Sequence, residues 1–230
     1  MEIQSFDTSD EVVNALCKLV ESYSNDSVRE RGLFKIGLSG GSLVDYLSKG
    51  LPGISTEWDK WVVFFCDERV VPFQDADSTY GAYKKKLMGK VPLDEKNFVP
   101  INPNLTAEDA AKEYIDKLKK HFPDCKWPEF DLLLLGMGPD GHTCSLFPDH
   151  PLLKEDNVWV APINDSPKPP PSRVTFTLPV LNNSRGCIFA ITGEQKVEVF
   201  RKICKKAANF PAGLVLPTNG KVHWLMDKKP

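Results

Sequence analysis

Little in this 230-residue chain points toward a membrane, a metal or a nucleic acid. No apolar stretch approaches the ~18 residues that a membrane span requires. The longest run, Leu132 to Leu135, has the length of a buried strand. No basic-then-apolar segment opens the chain, so no secretory leader is expected. The six cysteines (Cys17, Cys66, Cys125, Cys144, Cys187 and Cys204) are scattered singly, without a C-x-x-C pair. In a chain of this length that pattern argues for reduced thiols in a cytoplasmic protein rather than a disulfide frame or a zinc site. None of the four histidines forms H-x-x-x-H, and no metal is expected. Charge of one sign is missing too: 29 Lys+Arg against 31 Asp+Glu leave −2. Sequence-blind nucleic-acid binding needs a broad positive field that this balance does not supply. Internal repeats and low-complexity tracts are absent, and with no heptads a monomer is the expectation.

What is present is an alternation of strand-like and helix-like segments, consistent with one domain over residues 1–230. Ile3–Phe6, Leu33–Leu38, Trp61–Cys66, Phe130–Leu135, Val158–Ala161, Val174–Leu178, Cys187–Ile191 and Val222–Leu225 read as strands. Thr8 with Glu11 spells a capping box before a helix whose apolar residues recur as Val12, Val13, Leu16, Leu19 and Val20. Further helices are expected after Ser42, over Thr79–Met88, from Thr106 to His121, and from Gly193 to about Ala207. Continuous apolar strands interleaved with helices predict an α/β three-layer sandwich with a largely parallel sheet. The segment Ser166–Arg173 is rich in proline and reads as a stiff loop at the edge of that sheet.

In such sheets ligands bind outside the carboxyl ends of the strands, and the chemistry-bearing clusters fall there. Gly37-Leu-Ser39-Gly40-Gly41-Ser42 joins a strand to a helix with small residues, which lets backbone N–H groups close on an anion. The same residues satisfy a tight turn, and they also match G-x-S-x-G, the elbow of serine hydrolases. Asp67-Glu68-Arg69 follows a buried strand as a charged loop, its arginine offering a donor fork suited to phosphate or carboxylate. Gly136-Met-Gly-Pro-Asp140-Gly-His142 spells G-x-G-x-x-G. Asp140 would sit where a pyrophosphate belongs, and Pro148 and Pro151 leave no room for a crossover helix, so no dinucleotide cofactor is expected. What remains is a glycine-flanked histidine at a strand end, suited to taking a proton from water. His121, His150 and His223 lack such a setting. Lys168 and Arg173 bracket the proline loop and Lys196 opens the last helix; together they could close over a phosphate. Lys84-Lys85-Lys86 reads as a solvated helix face.

The pieces Leu38–Ser42, Phe65–Arg69, Gly136–Pro148 and Ser172–Pro179, in this order, resemble the glucosamine-6-phosphate isomerase/6-phosphogluconolactonase family over essentially the whole chain. The resemblance implies a Rossmann-like fold without a nucleotide cofactor, and hydrolysis of a phosphorylated sugar lactone, 6-phosphoglucono-1,5-lactone. It implies His142 as general base, with Asp140 orienting or polarising the site. Ser39, Gly40, Gly41, Ser42, Arg173 and Lys196 would hold the phosphate, and Arg69 and Asp67 would lie beside the substrate. Deaminase relatives carry a glutamate where this chain has Phe147, and an apolar side chain cannot relay a proton. Lactone hydrolysis is therefore the expectation. A deaminase-like isomerase, a non-catalytic sugar-phosphate sensor and a Ser39 hydrolase are the alternatives.

Overall fold

The computed structural model describes residues 1–206 and 209–228. Six strands form one parallel sheet: β1 (Glu2–Ser5), β2 (Phe34–Leu38), β3 (Trp61–Phe65), β5 (Leu132–Leu135), β8 (Gly186–Ile191) and β9 (Lys221–Met226). Their order is β1-β9-β8-β5-β2-β3, every neighbouring pair parallel. Because side chains alternate across a strand, each strand feeds two cores. Ile36, Val63, Leu132, Leu134 and Ile188 face one side, where α1 (Ser9–Arg31), α2 (Ser42–Gly50) and α3 (Thr79–Lys86) cover them. Phe64, Leu133, Leu135 and Phe189 face the other, under α4 (Ala107–His121) and α6 (Glu194–Cys204). None of these helices is long and apolar enough to cross a membrane.

The capping box forms as expected: Glu11 N–H donates to Thr8 Oγ1 at 3.2 Å and Thr8 N–H to Glu11 Oε2 at 3.1 Å. Thr106 caps α4 through Asp109 N–H. The last long helix ends at Cys204; the expected limit, Ala207, lies outside the described residues.

One expectation is corrected. The segments read as strands near Val158–Ala161 and Val174–Leu178 do not join the parallel sheet. They form β6 (Val160–Ile163) and β7 (Arg173–Phe176) of a separate antiparallel sheet ordered β4-β7-β6. The third member, β4 (Asp67–Arg69), is the segment read as a charged loop. Two strands joined by a loop without a crossover helix can pair only antiparallel, and the proline segment is that hairpin loop. Cys66 is the hand-over point between sheets: its N–H donates to Leu38 O and its carbonyl accepts from Phe176 N–H. A short helix, α5 (Leu178–Leu181), follows β7.

The chain runs from β2 outward to β3, then returns to the opposite side of β2 as β5. The crevice between the carboxyl ends of β2 and β5 is therefore the topological switch point, where open α/β sheets bind ligands.

Candidate active site

A cleft at that switch point gathers most of the residues singled out by the sequence, with Asp140 and Lys168 reaching it through His142. Ser39, Gly40, Gly41 and Ser42 line it from the β2–α2 turn, Asp67 and Arg69 from β4, His142 and Cys144 from the loop after β5, Arg173 from β7 and Lys196 from α6. Asp140 stands behind His142.

The turn after β2 presents the start of a helix without a side-chain cap; Gly41, at the cap position, has φ 70°. Glycine enters that left-handed region without steric cost, and the first N–H groups of α2 are left facing the cleft, a ready anion site. Tyr83 Oη donates to Ser39 O at 2.9 Å and fixes the turn from α3. Three buried side-chain atoms around it have no hydrogen-bond partner: Ser39 Oγ, Thr79 Oγ1 and Arg69 Nε.

Reading Asp67-Glu68-Arg69 as a strand explains its division of labour. Asp67 and Arg69 point to the cleft face, and Glu68 points away. Glu68, buried, accepts N–H groups of Arg69 (2.7 Å), Thr79 (2.8 Å) and Tyr80 (2.7 Å) and so clamps α3 to β4. Asp67 accepts from Ser145 Oγ at 2.9 Å. Arg69 donates through Nη1 to Asp77 O at 2.9 Å. It pairs directly across strands with Arg173, a like-charge juxtaposition that costs free energy unless an anion lies between. Burial holds the Arg173 guanidinium below its ordinary pKa, and the Arg69 charge adds to the effect. Lys196 is likewise lowered by burial and then by Lys168. Cations outnumber carboxylates here: Arg69, Arg173, Lys168 and Lys196 against Asp67 and Asp140.

Arg173 is less free than the sequence reading implies. Its Nε donates to Pro170 O (3.0 Å) and its Nη2 to Lys168 O (2.9 Å) and Pro169 O (3.0 Å). Most of the guanidinium grips the proline loop, and Nη1, 3.4 Å from Ser145 Oγ, is the part left toward the cleft.

His142 Nδ1 lies 2.5 Å from Asp140 Oδ1, and its ring rests on Phe147 with centroids 4.9 Å apart. Gly138 makes this possible, since a Cβ there would come within 2.1 Å of the imidazole. Burial lowers the pKa of His142; the Asp140 carboxylate opposes this and Lys168 reinforces it, leaving the ring below its ordinary value. Burial raises the Asp140 carboxyl, but the His142 and Lys168 donors outweigh it and hold the group below the usual carboxylate range. The N–H groups of Gly138 and Gly141 are spent on His142 O and Gly138 O. They are not free to receive an oxyanion.

Two of the alternatives meet obstacles. Ser39 Oγ makes no hydrogen bond to His142 or any other described residue, so no Ser–His pair exists to activate it. Phe147 is buried against His142 where an isomerase would need a carboxylate. The sequence reading passed over Glu68, Ser145 and the position of Lys168. Nothing local in the sequence signals any of the three; Glu68's inward turn follows only once Asp67-Glu68-Arg69 pairs as a strand with β7.

A family model described as glucosamine-6-phosphate isomerases/6-phosphogluconolactonase matches residues 7–224. The chain is 48% identical to human 6-phosphogluconolactonase and 46% identical to the rat protein, each match covering 98% of this chain and 91% of the relative. Its fold superposes on 6-phosphogluconolactonase from Thermotoga maritima with a TM-score of 0.86 at 26% identity, covering 98% of this chain and 99% of that one. The Trypanosoma brucei 6-phosphogluconolactonase structure gives 0.83 at 26% identity, covering 98% and 95%.

Proposed function

The chain belongs to the glucosamine-6-phosphate isomerase/6-phosphogluconolactonase family, and from that membership we infer its chemistry and propose how its residues perform it. It is an enzyme that hydrolyses 6-phospho-D-glucono-1,5-lactone to 6-phospho-D-gluconate, a step of the pentose phosphate pathway.

The observation that carries the mechanistic reading is the state of the imidazole. His142 Nδ1 is occupied by Asp140, while Nε2 has no protein partner among the described residues and borders the cleft. In this reading the 6-phosphate seats on the α2 N-terminus with Ser39, Ser42, Lys196 and the remaining Nη1 of Arg173. The unpartnered Nε of Arg69 faces the lactone or its phosphate. Nε2 takes a proton from water as the hydroxyl oxygen bonds to the lactone C1. The resulting tetrahedral centre collapses with cleavage of the bond from C1 to the ring oxygen, which takes the proton back from the imidazolium. The carboxylic acid so formed then ionises and releases one proton. An ester of this kind is already activated, so one positioned water and one base suffice without a covalent intermediate.

The cleft is complete within one chain, which supports a monomeric enzyme acting on a free small molecule. The described cysteines are all unpaired, which supports a cytoplasmic setting.

The test is proton release from freshly generated 6-phosphogluconolactone at neutral pH and low temperature, with the spontaneous rate subtracted. Acceleration is expected, together with no ammonia release from glucosamine 6-phosphate. Ammonia release without acceleration would install the isomerase reading instead, and neither activity alongside retained sugar-phosphate binding would favour a sensor.

A further inference from the structure

We propose that Lys168 is a positioning residue for His142, delivered by the proline loop to fix the dyad with Nε2 bare toward the cleft. The inference rests on the general-base reading of His142 and adds to it the group that holds the base.

The geometry is a three-way junction. Lys168 Nζ lies 3.1 Å from Asp140 Oδ1 and 3.1 Å from His142 Nδ1, and Asp140 Oδ1 lies 2.5 Å from the same Nδ1. An ammonium has donors and no acceptor, so a proton on Nδ1 has one place to go, Asp140 Oδ1. Were Nδ1 bare, its lone pair would face a carboxylate oxygen at 2.5 Å with no proton between them. The Nδ1–H tautomer is therefore the one this junction accommodates, and Lys168 spends its proton on Asp140. The ammonium then does two things. It occupies a further lone pair of Oδ1, so the carboxylate cannot turn away from the ring. It also places a positive charge beside the imidazole, opposing a second proton on it and keeping Nε2 available as a base.

The loop is built to hold this lysine. Lys168 O accepts from Arg173 Nη2 (2.9 Å) and Ser166 Oγ (2.8 Å), and Arg173 also binds the carbonyls of Pro169 and Pro170. Prolines fix φ and remove backbone freedom around the gripped carbonyls. Arg173 thus acts on His142 through the loop, in addition to any contact with substrate. Other charged groups face the same space: Asp67 and Arg69 from β4, Arg173 from β7 and Lys196 from α6. Among the described residues, only Asp140 and Lys168 place a side-chain charge within hydrogen-bond distance of the ring.

The experiment compares wild type, Lys168→Met and Lys168→Arg. Two readouts are taken: the NMR titration of the His142 imidazole in the substrate-free enzyme, assigned with His142→Ala, and the acid limb of kcat/KM for the lactone. Removing a neighbouring positive charge should raise both the titration midpoint and the acid limb by about one pH unit, roughly tenfold in activity on that limb. Lys168→Arg should keep both near wild type. A midpoint and limb unmoved in Lys168→Met would overturn the proposal, even if kcat fell, because a merely structural lysine lowers the rate without moving either. Equal shifts in both variants would also overturn it, since the charge would then be irrelevant. Retained turnover in His142→Ala is a separate result that removes the general-base reading itself.

Discussion

At the amino ends of β2, β5 and β8, Asp131 accepts from Lys35 N–H at 2.7 Å and Arg31 Nε at 3.0 Å, with Arg185 Nε at 3.8 Å. Arg31 also binds Ser27 Oγ, Arg185 pairs with Glu129, and Lys35 Nζ donates to His121 O. At the carboxyl ends of the same sheet, Arg69, Arg173 and Lys196 crowd a cleft with Asp67, and Ser39 Oγ, Thr79 Oγ1 and Arg69 Nε are buried without partners. Both ends are concave and both are dense in charge. They differ in satisfaction. Every buried polar group left unpaired costs folding free energy, whereas a closed network does not. The amino end therefore reads as structure, and the carboxyl end reads as a site whose missing partner is a ligand.

His142→Ala should separate the ends most widely. Removing a positioned general base costs roughly 10²–10⁴-fold in rate, so kcat should fall by that order while KM stays near wild type, because the phosphate contacts lie elsewhere in the cleft. Proton-release kinetics read both. Asp131→Ala should do the reverse: about 2 kcal/mol of stability lost, from leaving the Lys35 N–H and the Arg31 guanidinium without their nearly buried carboxylate acceptor, with kcat and KM unchanged. Urea unfolding measures it. An Asp131→Ala enzyme that loses activity while keeping its stability would erase the distinction between the two ends.

Much of this division was legible in the sequence because it follows from local signals. The apolar runs at Trp61–Cys66 and Phe130–Leu135 read as buried parallel strands, and β3 and β5 fall within them. The small residues after Leu38 and the glycine-flanked His142 read as strand-end chemistry, and both line the cleft. What the sequence hid was long-range. β4 has only three residues, too few to show alternation against a charged composition, so its strand character rests on pairing with β7 about a hundred positions later. Lys168 looked like one more cation for a phosphate, and only the fold of the hairpin carries its ammonium back to Asp140. Arg173 read as a phosphate holder, because nothing in a linear string shows that three carbonyls of the adjoining loop already claim it.

The finest comparison lies between two buried serines, one from each end. Ser27 is 1% exposed and its Oγ accepts from Arg31 Nη2 at 3.0 Å; Ser39 is 4% exposed and its Oγ has no partner. Ser27→Ala deletes a satisfied hydrogen bond and should cost about 1 kcal/mol of stability with no effect on turnover. Ser39→Ala deletes a hydroxyl that folding had already stripped of water without compensation. It should therefore leave stability unchanged or raise it by up to about 1 kcal/mol. Its cost appears when the ligand arrives: one hydrogen bond to a charged group, about 1.5 kcal/mol, or roughly tenfold in KM, with kcat preserved because Ser39 is not the nucleophile. Paired unfolding curves and KM values for the two variants decide the matter. If Ser39→Ala destabilises the enzyme as Ser27→Ala does and leaves KM alone, the unpartnered hydroxyl serves the fold after all, and the contrast between the two ends of the sheet fails at its smallest and most specific point.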